Sequence, residues 1–202
     1  MPLEPISNLT AQMAEYTDRP GCFERVPPRK VDKFRVRPDV ERHLAGVDDG
    51  LRVVLRELTA GKSAWPLFLH GPVGVGKTRA ALVVCDLAEF ARYWTVSNVL
   101  DLMADSEKEP PWTRSWGRPG MPSVAILDEL GTRDTHADAR GRWEYDAVKH
   151  FLDWRDNRPA IYISNHTLGT LEKLYDKRIA SRLGAGTQHF LDGPDRRIIT
   201  PT

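Results

Sequence analysis

Hydrophobic positions along the chain change period several times. Over residues 38–58 they fall at Val40, Leu44, Val47, Leu51, Val54, Leu55 and Leu58, a spacing of three and four that predicts one amphipathic helix. Pro38 suits its first turn and Gly61 its end. Residues 65–70 (WPLFLH) then form a short apolar run without helical period, followed by a glycine-rich stretch at 71–78 and a helix-like segment to about residue 91. Residues 92–96 read as a second strand, and Ser97 as the cap of a helix over 98–104. Residues 105–122, with four prolines, are a loop signal. Residues 123–128 predict a third strand, apolar on both faces as in a covered parallel sheet. A helix over 140–157, a strand over 160–164, a helix over 171–183 and a short fifth strand over 188–191 complete the alternation. Strands alternating with helices predict an α/β domain with a mostly parallel central sheet.

Composition narrows the reading. The chain has 202 residues, 41% hydrophobic and 28% charged, which suits one globular domain with a full core. Lys and Arg number 29 against 28 acids, a formal net charge of +1, so nucleic-acid binding has to come from local patches rather than bulk charge. Residues 1–36 read as an N-terminal extension ahead of a domain at 37–202. Eight Lys/Arg against four acids between Arg19 and Arg42 fit either a solvated arm or a contact arm for nucleic acid or protein. Two cysteines, Cys22 and Cys85, are too few for a zinc site of their own and suit a reducing compartment. No signal-peptide core is seen at the start, and no run approaches the ~20 apolar residues of a membrane span. The expected location is the cytoplasm, without membrane attachment.

The glycine-rich stretch carries the chemistry. Gly71-Pro72-Val73-Gly74-Val75-Gly76-Lys77-Thr78 matches G-x-x-x-x-G-K-[ST], with an apolar strand before it and a helix after. Gly71, Gly74 and Gly76 let the backbone curl so that successive N–H groups face phosphate oxygens. Lys77 would reach the β- and γ-phosphates, Thr78 would ligate Mg²⁺, and the run continues into the helix at Arg79. The apolar strand ending in Asp128-Glu129 fits the second nucleotide-binding motif. Asp128 would hold Mg²⁺ and Glu129 would orient and deprotonate an attacking water. Asn165, at the end of the fourth strand, sits where an amide can position that water, or where a turn residue bonds its own backbone. The six histidines form no metal-ligand pattern, and Ser164 has no triad that chain order supports.

At this point the chain resembles AAA+ ATPases, in particular the DnaC/IstB-like branch of helicase loaders and transposition ATPases. The resemblance covers roughly residues 37–199. Its markers are HGPVGVGKT, the AILDELG run from Ala125, R-x-x-R-P-A-I-Y-I-S-N from Arg155 and R-I-A-S-R-L-G from Arg178. It implies a three-layer P-loop NTPase core with five parallel strands in the order 5-1-4-3-2 and a minimal or absent C-terminal lid. It also implies that Asn165 is the sensor 1 residue and that Arg182 is an arginine finger reaching the γ-phosphate on a neighbouring subunit of a homo-oligomer. Arg197, or its neighbour Arg196, matches the closing sensor 2 arginine. The alternative for each arginine is a surface salt bridge. Fewer than about 20 residues follow the finger motif, too few for a helical-bundle lid, and the partner-binding domain usual in bacterial loaders is missing or reduced to residues 1–36.

The loop over 110–119 interleaves Trp112, Arg114, Trp116 and Arg118. Such a set can stack bases and hold the phosphates of single-stranded DNA, or the tryptophans can pack beneath the loop. By resemblance, this is where initiator and loader ATPases carry a DNA-contacting insertion. The sequence therefore leads to a DNA-replication helicase loader that binds ATP and Mg²⁺ and hydrolyses ATP while assembling on single-stranded DNA with a replicative helicase. An IstB-like ATPase acting on a transposase is the alternative, and a nucleotide-gated scaffold with little hydrolysis is a third reading.

Overall fold

The computed structural model of the chain describes residues 47–88, 91–104, 122–132, 139–156 and 158–195. Among them the order is α1 (Asp49–Thr59), β1 (Leu67–His70), α2 (Lys77–Leu87), β2 (Ala91–Thr95), α3 (Val96–Ala104), β3 (Val124–Leu130), α4 (Ala139–Trp154), β4 (Ala160–Ser164), α5 (Leu168–Leu174), α6 (Lys177–Leu183) and β5 (Thr187–Phe190). The extension at 1–36, the loop tryptophans and arginines at 112–118, and Arg196 and Arg197 lie outside the described residues.

The strands form one parallel sheet in the order β2-β3-β4-β1-β5. This is the expected 5-1-4-3-2 read from the other edge. Side chains alternate across it, as the period of two requires. Leu67, Leu69, Ile126, Ile161 and Ile163 face Leu51, Leu55 and Leu58 of α1 and Ala81 and Val84 of α2. Phe68, Ala125, Leu127 and Tyr162 face Val99 of α3, Val148 and Phe151 of α4, Leu171 of α5 and Ile179 and Leu183 of α6. Two apolar cores, one per face, make the three layers. Each fully buried side chain of this size contributes about 1.5–3 kcal/mol by transfer from water. Trp94, Phe151 and Trp154 meet edge-to-face with centroids 5.3 to 5.7 Å apart, the arrangement favoured by the ring quadrupole.

Several predicted boundaries move, each for a local reason. The helix drawn over 38–58 starts at Asp49, because the Asp48 carboxylate accepts the Leu51 N–H at 3.1 Å and caps it; residues 38–46 lie outside the described set. Ser97 does not cap α3. Thr95 does, accepting the Asn98 N–H at 3.1 Å while Asn98 Oδ1 accepts the Thr95 N–H at 3.2 Å, a reciprocal box that starts the helix at Val96. The helix drawn over 171–183 is two helices. Tyr175 leaves helical geometry, and Asp176 caps α6 by accepting the Ile179 N–H at 2.7 Å.

Arg155, the first residue of one resemblance marker, is buried and structural. Its guanidinium donates to the carbonyls of Pro122 (3.0 Å), Ser123 (3.3 Å) and Pro159, and lies over the Trp154 ring. It ties together the segments that lead into β3 and β4. Burial pulls its pKa below the ordinary arginine value. Among the described residues no helix is long and apolar enough to cross a membrane.

Candidate functional site

The carboxyl ends of β1, β3 and β4 open onto a cleft of about 430 Å³, lined by Val73, Gly74, Gly76, Lys77, Thr78, Arg79, Asp128, Glu129, Ser164 and Asn165. In open parallel sheets ligands bind at this end of the strands. The loop after β1 reaches it by three glycines in backbone conformations that L side chains rarely adopt, with φ of 150° at Gly71, 82° at Gly74 and 103° at Gly76. Gly76 is the N-cap of α2, so the unpaired N–H groups and positive end of that helix face the cleft. A side chain at Gly71 would collide with the Leu191 carbonyl, and one at Gly74 with the Asp195 carboxylate. The segment after β5 therefore lies directly across the loop.

Lys77, at the first position of α2, is buried and donates to the carbonyl oxygens of Gly71 (2.7 Å) and Pro72 (2.6 Å). Its ammonium is thus folded back under the loop. Thr78 Oγ1 donates to Asp128 Oδ2 at 2.7 Å, so the hydroxyl and the carboxylate expected to share a metal ion are in direct contact. Asp128 Oδ1 accepts the Glu129 N–H at 2.7 Å, and Oδ2 also accepts the Tyr93 hydroxyl at 2.9 Å.

The end of β3 explains how two consecutive acids face one cleft. On a regular strand successive side chains point to opposite faces, so Asp128 and Glu129 would be separated by the sheet. Here the β3–β4 register slips: Leu127 pairs with Tyr162 and Leu130 with Ser164, three steps on β3 against two on β4. Glu129 takes a φ of 65°, the one non-glycine residue with positive φ among those described. The bulge returns Leu130 to the same core as Leu127 and leaves Glu129 exposed at the cleft beside Asp128. Bulges of this kind re-aim side chains and recur beside active sites. The distortion is held from below. Ser164 Oγ donates to the Leu130 carbonyl at 2.7 Å, and the Gly131 N–H, itself at φ 78°, donates to the Tyr175 hydroxyl at 2.8 Å. Tyr175 in turn donates to the fully buried Glu144 at 2.6 Å.

Ser164 also accepts the His166 N–H at 3.0 Å. This turns the chain at the end of β4 and leaves Asn165 exposed on the cleft wall. Arg182 stands elsewhere. It is on α6, half-buried, and pairs with Asp153 of α4, outside the cleft lining. The structure thus brings together residues 73, 74, 76–79, 128, 129 and 165 from the sequence-derived set, with Gly71 and Pro72 in the same loop contacting Lys77. Val75 is buried in the core beneath the loop. Sequence reasoning missed Tyr93, Ser164 and the Tyr175–Gly131 support. For the bulge a signal existed: two polar residues between Leu127 and Leu130 break the alternation, and Gly131 follows.

The donor set fits Mg²⁺. Thr78 and Asp128 would supply two protein groups, both hard oxygens, and Mg²⁺ characteristically takes one or two such groups together with waters and substrate phosphates.

No family model matches the chain. A Mycobacterium tuberculosis protein named as an ATP-binding protein in an insertion sequence is 28% identical over 157 residues, which is 71% of this chain; the chain spans 59% of that relative's length. Domain III of the Thermotoga maritima replication initiation protein DnaA superposes with a TM-score of 0.56 at 18% identity, covering 80% of this chain and 70% of that one. The replication initiator DnaA bound to AMPPCP and single-stranded DNA gives 0.57 at 16% identity, with 79% and 51% covered. The chain has the P-loop NTPase fold found in these initiators, and its sequence is similar to an ATP-binding protein of an insertion sequence.

Proposed function

We propose that the chain binds ATP with Mg²⁺ in this cleft and hydrolyses it as an AAA+ ATPase of the DnaC/IstB type, completing its active site in a homo-oligomer. The observation that carries the reading is the bulge that brings Asp128 and Glu129 to the same cleft, facing the P-loop. The loop backbone from Gly71 to Gly76, with Val73, Val75 and Arg79 flanking, would cradle the phosphates. Lys77 would exchange its two carbonyl partners for β- and γ-phosphate oxygens, a gain because a charged acceptor binds an ammonium more strongly than a neutral one. Thr78 and Asp128 would hold Mg²⁺, which when bound neutralises developing charge on the phosphates. Glu129, exposed and aimed at the cleft, would take the proton of a water, and the Asn165 amide would orient that water for in-line attack. Arg182, outside its own protomer's cleft, would act on a neighbour's γ-phosphate, where a guanidinium's planar fork matches phosphate charge. Arg197 would serve the nucleotide in cis. Trp112, Arg114, Trp116 and Arg118 would contact single-stranded DNA.

The cellular role follows as a helicase loader, assembling on single-stranded DNA with a replicative helicase. A transposase as partner is the second reading, and the similarity to an insertion-sequence protein supports it. The experiment is ATP turnover and sedimentation measured together, with and without single-stranded DNA, for wild type and Arg182→Ala. ATP and DNA should drive assembly and turnover in wild type, while the variant assembles without turning over. Robust turnover by a strictly monomeric wild type would overturn the trans-acting site. Co-purification with a helicase or with a transposase separates the two partners.

A further inference from the structure

We infer that Tyr93 is a positioning residue for the metal-binding carboxylate: its hydroxyl holds Asp128 in the orientation that Mg²⁺ requires. The inference rests on the proposed Mg·ATP site and adds a residue to it that lies far from every nucleotide motif in the sequence.

Two hydroxyl donors converge on one carboxylate oxygen. Asp128 Oδ2 accepts from Thr78 at 2.7 Å and from Tyr93 at 2.9 Å, while Oδ1 accepts only the adjacent Glu129 N–H among the bonds described. Thr78 cannot serve as a fixed anchor for Asp128, because its hydroxyl oxygen is itself a ligand in the proposed site and its rotor turns to suit the metal. Tyr93 can. It stands on β2, whose Thr95 is paired with Asp128, so Tyr93 is two positions back along the neighbouring strand and on the same face, a span that a phenol side chain bridges. Its ring packs against the apolar core shared with α2, which leaves little freedom at the hydroxyl. A phenol is protonated at neutral pH and a carboxylate only accepts, so in this contact the Tyr93 hydroxyl is the donor. Partners of this kind orient metal ligands, and their loss typically costs 10–100-fold in metal affinity.

The test is Tyr93→Phe, which removes one oxygen and keeps the ring. A fluorescent ATP analogue is bound to wild type and variant, first in EDTA and then across a Mg²⁺ titration, with thermal melting recorded alongside. The expected result is unchanged affinity in EDTA and a half-saturating Mg²⁺ concentration raised about 10-fold. If the variant's Mg²⁺ titration superimposes on that of wild type, Tyr93 has no such role, whatever its melting temperature. If wild-type binding is itself indifferent to Mg²⁺, the proposed metal site fails instead, so the two failures are distinct.

Discussion

Glu129 allows the link between backbone strain and chemistry to be measured. An L residue in the left-handed region costs roughly 1–2 kcal/mol, and Glu129 holds a φ of 65°. Replacing it by alanine removes the carboxylate but keeps the strain. Replacing it by glycine removes both, at a cost of about 0.5–1 kcal/mol in backbone freedom. The difference places Glu129→Gly about 0.5–1 kcal/mol above Glu129→Ala in stability. For a chain of 202 residues that corresponds to roughly 1–4 °C in melting temperature. Both variants should lose ATP turnover by about 10²–10⁴-fold, the usual contribution of a general base. The assay is thermal unfolding of the two variants in EDTA without nucleotide, followed by steady-state turnover. This inverts the normal ranking, since glycine within a strand is ordinarily the weaker residue. A Glu129→Gly variant that melts at or below Glu129→Ala would refute the left-handed bulge, and with it the account of how two consecutive acids reach one cleft.

Two further outcomes follow from buried groups. Tyr175→Phe strands the Gly131 N–H and removes the hydroxyl that donates to Glu144, at about 1–3 kcal/mol for the unpaired donor. The melting temperature should fall by roughly 2–12 °C; a smaller loss would contradict the support described for the bulge. His70, stacked on Phe68 and tilted against Phe190, has its pKa lowered by burial first, then by His189 and Lys77. The unfolded chain therefore takes up that proton first, so stability is lost as pH falls through 6.5 towards the lower folded value. Denaturant unfolding between pH 7 and 5 should show this slope, and His70→Gln should flatten it.

The sequence made the nucleotide motifs and the sheet legible because both are local. A glycine spacing, an apolar run and an acidic pair each sit within a few consecutive residues, and parallel strands buried on both faces announce themselves by composition. The strand order came from resemblance alone, since nothing in periodicity says which strand lies beside which. What escaped the sequence was tertiary. Tyr93 looks like any strand tyrosine until β2 and β3 are in register. Arg155 resembles a site arginine until its carbonyl partners from three other residues surround it. Thr95 displaced Ser97 as a cap because Asn98 could reciprocate, a choice between adjacent polar residues that propensity does not resolve. The 171–183 helix kept its apolar spacing through the break at Tyr175, so the period concealed the interruption and only the Asp176 cap marks it.

The bare glycines of the phosphate loop constrain what a genetic suppressor could repair. Gly74 needs its φ of 82° and also needs clearance beneath Asp195, and these are independent demands on one position. Trimming Asp195 to a smaller residue would relieve the collision made by alanine at 74 without relieving the backbone. A compensating change elsewhere in the loop would relieve the backbone without moving the carboxylate. Gly71 stands in the same bind, with a φ of 150° and the Leu191 carbonyl overhead, and there the obstacle is main chain that no substitution can shorten. Revertants of lesions at either glycine should therefore be true revertants. The phosphate loop and the strand exit at 191–195 form one unit of inheritance although some 120 residues of sequence separate them.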